Sequence, residues 1–168
     1  MRILITSTSL CRDREHPALD PLRAIGELVF NETGRPMTAT ELAEVLPSID
    51  AVLAGVDDFS ADAFVGGDRL RVVSRFGVGT DRVDLEAAQR AGVVVARTPG
   101  ANAIGVAELA IGLMFSVARG IPRLDAGVRA GDWPRGTGIE LRGRTLAILG
   151  VGAIGRIVAE GARGIGME

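Results

Sequence analysis

The chain has 168 residues, of which 47% are hydrophobic, so it is long enough to bury the core of about one ordinary domain. Its net charge of -2 comes from 19 basic and 21 acidic residues that are interspersed, which argues against nucleic acid or a membrane surface as a partner. All the basic residues are arginine and tyrosine is absent, so a Schiff-base lysine, a P-loop lysine and a Tyr–Lys proton relay are excluded. One cysteine and one histidine exclude an intrachain disulfide and a zinc site built from several Cys and His ligands, and the cytoplasm is the expected setting.

Short apolar runs alternate with helical stretches through the first part of the chain, and no apolar run approaches the ~20 residues of a membrane span. We predict strands at residues 2–6, 27–30, 51–54, 70–74 and 93–96, and helices at residues 22–26, 40–46, 60–65 and 84–91. Thr38 or Thr40 is expected to cap the second of these helices. The strands are nearly continuous apolar runs, which indicates burial on both faces of a parallel sheet. Residues 1–98 are therefore predicted to form a doubly wound, flavodoxin-like α/β domain.

The segment from Thr98 to Asn102 is the clearest break in the chain. Pro99 favours an extended Thr98, and Gly100 and Asn102 suit a turn, so a domain boundary is predicted after residue 98. A long helix is predicted at residues 103–119 and a shorter one at residues 123–130. The long helix is apolar on most sides, so we expect it to be buried between domains or subunits.

A glycine-rich turn follows the predicted strand at residues 144–149 and precedes the predicted helix at residues 156–163. Its sequence is G-x-G-x-x-G, with Gly150 for the tight turn, Gly152 for close approach of a pyrophosphate and Gly155 for close helix packing. The amides of Ala153 and Ile154 would then face the pyrophosphate at the helix N-terminus. An ordinary glycine-rich turn is the alternative. The sequence ends before the acidic residue that binds ribose would appear, so NAD is expected and NADP stays open.

Four segments, at residues 74–84, 92–99, 102–119 and 141–155, together resemble the N-terminal portion of a known enzyme family. Their order and spacing are similar to those of the NAD-dependent D-2-hydroxyacid dehydrogenases, in particular the phosphoglycerate dehydrogenase branch. The resemblance implies a substrate domain at residues 1–98 and the first part of a Rossmann NAD-binding domain at residues 99–168. On this view the chain is a truncated form of such an enzyme.

The resemblance also implies roles for individual residues. Backbone N–H groups of Gly77, Val78 and Gly79 would hold the substrate carboxylate, because a loop with few side chains lets an anion approach its amides. Arg75 would make a charge-assisted contact with acidic groups of the substrate, or else be a structural or solvated arginine. Asn102 would lie near the substrate, or else serve only as a turn residue.

Glu108 interrupts an otherwise apolar helix, where an unpaired carboxylate is costly. The resemblance implies that it lies near the cofactor, and pairing with an arginine is the alternative. The family's catalytic arginine, glutamate and histidine belong to segments that this sequence does not match, so no catalytic residue is assigned. His16 is not expected to transfer protons, and the chain alone is expected to be inactive.

The predicted function is hydride transfer between a phosphoglycerate-like 2-hydroxy acid and NAD, in a protein expected to be a homodimer. The alternative is a catalytically silent module that binds small acids or a nucleotide, or that dimerises. A formate dehydrogenase or a transcriptional corepressor of the same superfamily is disfavoured, because those proteins carry extra segments that are absent here.

Overall fold

The computed structural model describes residues 1–168, which fall into two compact units, Met1–Pro99 and Gly100–Glu168. The division lies one residue from the predicted boundary. The second unit begins at the turn that contains Gly100, whose positive φ of 76° suits glycine.

The first unit is built on one sheet of five parallel strands. The strands are β1 (Arg2–Ile5), β2 (Glu27–Phe30), β3 (Ala51–Ala54), β4 (Val72–Arg75) and β5 (Val94–Ala96). Their order in the sheet is β2-β1-β3-β4-β5, which is the flavodoxin order. The predicted α/β class and its parallel sheet are therefore confirmed. Because every pair is parallel, the carboxyl ends of all the strands meet at the same edge.

Both faces of this sheet are covered, as the continuous apolar runs predicted. Ile3 and Ile5 of β1 pack in one apolar cluster, whereas Leu4 between them belongs to the other. The smaller cluster includes Leu10 and Leu19 from the segment that follows β1. Side chains alternate across a strand, so a run without polar residues fits a strand that is buried on both sides.

Four α-helices accompany the sheet. They are α1 (Thr8–Arg12), α2 (Asp20–Arg23), α3 (Ala39–Val45) and α4 (Leu85–Arg90). The helix predicted at residues 22–26 is wrong in position: Pro21 sits in the first turn of α2, where its missing N–H costs nothing, so the helix begins and ends earlier. The predicted helix at residues 60–65 is a 3-10 helix, Ala61–Phe64. The short helix α1 was not predicted.

A capping box begins α3. The Glu41 N–H donates to Thr38 Oγ1 (3.3 Å), and the Thr38 N–H donates to Glu41 Oε2 (2.8 Å), so Thr38 rather than Thr40 is the cap. Arg35 Nη2 lies 2.6 Å from Glu41 Oε1. The hydrogen bond from Arg35, together with those from Thr38, lowers the pKa of Glu41 from 4.5 to about 2.

This lowered pKa predicts an acid-dependent part of the stability. The pKa is lower in the folded chain, so the contribution is complete above pH 4.5 and is lost as the pH falls toward 2. We expect Glu41→Gln to unfold at a urea midpoint that changes less between pH 4.5 and 2 than that of the wild type. Glu44→Gln, on the exposed side of α3, is the matched control and should keep the wild-type profile. Equal acid dependence of Glu41→Gln and wild type would contradict the prediction.

The second unit contains three helices, α5 (Ala103–Arg119), α6 (Ile121–Arg129) and α7 (Ala153–Gly164). Helix α5 has the predicted bounds and packs against α7, with Gly161 facing Ile111. No single helix is long and apolar enough to cross a membrane, although α5 and α6 together meet that length and composition with a bend of 67° between them.

Much of the apolar surface of α5 faces solvent. Only Ala103 and Ala107 are buried, whereas Leu109 is 63% exposed and Val117 is 82% exposed. The expectation that α5 is buried between domains or subunits stays a prediction, because the single chain leaves this surface uncovered.

The strand predicted at residues 144–149 is wrong for this structure. The Leu146 N–H donates to the Glu168 carbonyl (2.7 Å), and the Glu168 N–H donates to the Arg144 carbonyl (2.9 Å). These two bonds have the geometry of a parallel pair, but the pair does not continue beyond them. Leu149 is fully exposed. The apolar pattern predicts the side chains of a buried strand, whereas a strand also needs a neighbouring backbone to pair with.

Candidate functional site

The loop that follows β4 lies at the carboxyl edge of the sheet, where proteins of this fold bind ligands. Ala54 of β3 is in register with Arg75 of β4, and Ser74 of β4 is in register with Ala96 of β5. The sheet therefore places the segment at residues 76–79 beside the end of β5.

A tight turn shapes this loop. The Phe76 N–H donates to the Ala54 carbonyl (2.9 Å), and the Gly77 N–H donates to the Arg75 carbonyl (2.8 Å). Gly77 has a φ of 153°, which residues other than glycine rarely adopt. A Cβ at this position would lie 3.4 Å from Arg75 Nη1, so the guanidinium packs directly against the turn.

Two of the three predicted carboxylate-binding amides are free. The N–H groups of Val78 and Gly79 donate no hydrogen bond in the structure, and neither residue is buried. The Gly77 N–H is already used within the turn. Adjacent free amides are the donors that hold carboxylates and phosphates in anion-binding loops.

Thr98, two residues after the end of β5, holds this loop in place. Its N–H and its Oγ1 both donate to the Gly77 carbonyl, at 3.1 Å and 3.0 Å. The sequence identified Thr98 only as the residue before Pro99. The pairing of β4 with β5 is what brings it to the loop, and no local pattern contains that information.

Arg75 combines features of both interpretations that its sequence position allows. Its Nη1 donates to the carbonyls of Ala54 and Phe76, each at 3.3 Å, so it supports the backbone. No carboxylate forms an ion pair with it, although the Asp81 side chain lies beside Gly79 at the other end of the loop. Arg75 therefore leaves a positive charge at the loop that no acidic group neutralises.

A buried polar network lies at the same edge, and the sequence analysis did not identify it. Asp57 and Thr6 are each 1% exposed. Asp57 accepts hydrogen bonds from the Thr6 hydroxyl and from the Met37 N–H (2.7 Å), and Thr6 Oγ1 accepts from the Gly55 N–H (2.9 Å). All these groups are satisfied by one another, so the network holds the segment after β3 rather than offering a ligand site.

Two predicted site residues belong to the second unit. Asn102 precedes α5, is exposed and makes no capping bond with its side chain. Glu108 is exposed on α5 and forms no ion pair, so its alternative role of pairing with an arginine finds no support. The proposed ligand contacts of both residues stay predictions.

The side chains of His16 and Cys11 each form a hydrogen bond with the backbone. His16 Nδ1 accepts from the Ala18 N–H (3.1 Å) at the start of the 3-10 helix Pro17–Leu19. The Cys11 thiol donates to the Ile5 carbonyl, and partial burial raises the pKa of this thiol. A raised pKa reduces the thiolate fraction and hence the nucleophilicity.

The glycines of the G-x-G-x-x-G turn differ in their surroundings. Gly150 has a φ of 94°, and Gly152 precedes α7 with open space where a Cβ would be. A Cβ on Gly155 would overlap the Gly150 carbonyl oxygen and lie 3.2 Å from its carbon. The turn and the start of α7 are thus packed so closely that only hydrogen fits between them.

The start of α7 leaves donors for an anion. The helix begins at Ala153, three residues before the predicted start, so Ala153, Ile154 and Gly155 form its first turn. The first N–H groups of a helix have no partner within it, and no side chain caps these. The residues present therefore fit a pyrophosphate.

Comparison with known proteins identifies the class to which this chain belongs. Residues 3–164 match the family model described as D-isomer specific 2-hydroxyacid dehydrogenase, catalytic domain. The chain belongs to this family, and the predicted resemblance is confirmed.

Individual relatives narrow the comparison. The chain is 38% identical to a D-3-phosphoglycerate dehydrogenase of Methanocaldococcus jannaschii, over 90% of this chain and 29% of the relative. It is 36% identical to a hydroxypyruvate reductase of Thermotoga maritima, over 89% of this chain and 52% of the relative. The structure matches the NAD+-bound 3-phosphoglycerate dehydrogenase of Entamoeba histolytica with a TM-score of 0.73 and 28% identity, over all of this chain and 52% of that one. The chain thus spans about half or less of the length of these relatives.

Proposed function

We propose that this chain provides the carboxylate loop and the pyrophosphate turn of an NAD-dependent oxidoreductase that interconverts a 2-hydroxy acid and its 2-keto acid. The observation that carries the proposal is the pair of free amides at Val78 and Gly79, which lie at the carboxyl edge of the sheet in a chain of this dehydrogenase family. When bound, the nicotinamide would accept the hydride from C2 of the acid. The chain's own residues bind and orient the substrate and the cofactor.

We infer that the substrate carries more than one acidic group, as phosphoglycerate does. The Val78 and Gly79 amides take the carboxylate. Arg75 carries a positive charge that no acidic side chain of the chain pairs with. A second anionic group of the substrate would bind there through a charge-assisted hydrogen bond. Relatives named D-3-phosphoglycerate dehydrogenase support this substrate class, and Asn102 is proposed to contact the same ligand.

The cofactor is proposed to be NAD, with its pyrophosphate on the amides that begin α7. The open space beside Gly152 supports this role, because no atom of the chain there blocks the approach of the phosphates to the helix N-terminus. Glu108 is proposed to lie near the bound cofactor. NADP is the alternative, since the ribose-binding residue is not among these residues.

Titration of the 15N-labelled chain tests the proposed carboxylate loop and the proposed pyrophosphate turn. D-Glycerate is expected to shift the Val78 and Gly79 amides, and NAD+ is expected to shift the amides of residues 150–155. The same samples should show no reduction of NAD+ with D-3-phosphoglycerate, D-lactate or D-glycerate. No residue described here is assigned to proton transfer, and such a group typically contributes ~10²–10⁴-fold to the rate. Shifts confined to other regions, or turnover that is lost on replacing His16, would contradict the proposal.

A second candidate function is that of a silent module that forms homodimers. The exposed apolar side chains of α5, Leu109 and Val117 among them, favour it, because broad apolar surface promotes association. Sedimentation velocity distinguishes a dimer from a monomer.

We also propose a reducing, cytoplasmic setting, in which the single Cys11 stays a free thiol.

A further inference from the structure

We propose that Thr98 is a positioning residue, whose two hydrogen bonds to the Gly77 carbonyl aim the Val78 N–H at the substrate carboxylate. The inference rests on the proposed function of the loop, and it adds a residue to which that function assigns no role. The Thr98 N–H and Oγ1 lie 3.1 Å and 3.0 Å from the same oxygen.

Peptide geometry links this contact to the ligand site. The Gly77 carbonyl and the Val78 N–H belong to one peptide group, and no peptide bond in the chain is cis. In a planar trans peptide the C=O and N–H bonds point in opposite directions. A carbonyl directed at Thr98 therefore turns the Val78 N–H away from β5, where it has no partner within the chain.

This peptide group needs such a restraint. Gly77 has no side chain to limit the rotation of its backbone, and it already adopts a φ of 153°. A carbonyl oxygen has two lone pairs, and the amide and hydroxyl of Thr98 occupy both. Pro99 restricts Thr98 to extended conformations, which holds the two donors ready on the same side.

The hydroxyl contributes to ligand binding rather than to the core. Thr98 is exposed, so its side chain fills no space in the apolar clusters. Without the hydroxyl the peptide is held by one donor and rotates more freely, so part of the population presents the Val78 N–H in other directions. Binding then weakens, because a less organised site loses more entropy when the ligand binds.

The experiment compares four forms of the full 168-residue chain, labelled with 15N and 13C and titrated with D-glycerate. Thr98→Val removes the hydroxyl and keeps the shape, and Thr98→Ser keeps the hydroxyl. We expect Thr98→Val to bind D-glycerate about 3–10-fold more weakly, as for the loss of one net hydrogen bond, with a smaller shift of the Val78 amide. Thr98→Ser should stay within about twofold of the wild type. Thr40→Val is the matched control, because Thr40 is exposed and its hydroxyl makes no hydrogen bond.

Each outcome decides between the hypotheses. No shift at Val78 and Gly79 in the wild type overturns the proposed function and the role of Thr98 together. A normal wild-type response with equal affinity in Thr98→Val, or equal losses in Thr98→Val and Thr98→Ser, overturns only the role of Thr98. The 13C shift of the Gly77 carbonyl, measured without ligand, should change in Thr98→Val and not in Thr98→Ser. Thr98→Ala replaces the valine variant if that variant does not fold.

Discussion

Replacing Gly155 with alanine is expected to destabilise the Gly100–Glu168 unit by about 1–3 kcal/mol, as overpacking typically does, and to abolish the NAD+ response at residues 150–155. The added Cβ would collide with the backbone carbonyl of Gly150, which cannot rotate away as a side chain would. Relief requires the start of α7 to move away from the turn. The amides that face the pyrophosphate would then lose their common direction.

Gly164→Ala is the matched control for this change. Gly164 lies at the end of the same helix with nothing within 4 Å of an added Cβ. Alanine there should stabilise α7 by about 0.5–1 kcal/mol, because glycine loses more conformational freedom in a helix. Amide hydrogen exchange over α7 measures both variants. Unchanged protection and an unchanged NAD+ response in Gly155→Ala would show that the turn opens without cost.

The second large effect is expected for Asp57→Ala, which should destabilise the Met1–Pro99 unit by about 2–4 kcal/mol. Asp57 is 1% exposed and accepts from the Thr6 hydroxyl and the Met37 N–H. Its removal leaves these donors buried without an acceptor, and each such group costs about 1–3 kcal/mol. Relief from burying a carboxylate offsets part of that loss.

Urea unfolding measures this effect, with Asp68→Ala as the control. Asp68 is exposed and makes neither an ion pair nor a hydrogen bond, so its replacement should change the stability by less than about 0.5 kcal/mol. Asp57→Asn keeps one acceptor oxygen and should fall between the two. Equal midpoints for Asp57→Ala and Asp68→Ala would mean that water satisfies the donors.

Much of the first unit could be predicted from local patterns, because buried parallel strands have a continuous apolar signature. The run at residues 51–54 became a strand with the predicted bounds. The spacing of Gly150, Gly152 and Gly155 likewise predicted a close turn, since the backbone angles and close contacts that favour glycine there are set by neighbouring residues. Such features depend on residues near one another in the chain.

Features that depend on distant residues were missed. Thr98 meets Gly77 only after β5 has paired with β4, and Asp57 meets Thr6 only after β3 has paired with β1. The error at residues 144–149 has the same origin. A strand is defined by its partner, and only Glu168 pairs with this segment.

The all-parallel order of the sheet has a consequence for how the chain acquires its structure in time. No two consecutive strands form a hairpin, and the interior strand β1 pairs with both β2 and β3, so the pairing of Ile3 is complete only after Ala51 has been synthesised. Ladders between distant segments form slowly, because the loop must close before any pairing stabilises it. During synthesis from the N-terminus, the carboxyl edge that carries the loop is complete only when β5 has left the ribosome. The exposed apolar strands β1 and β3 precede that moment, and it is in this interval that the nascent chain is most prone to aggregate.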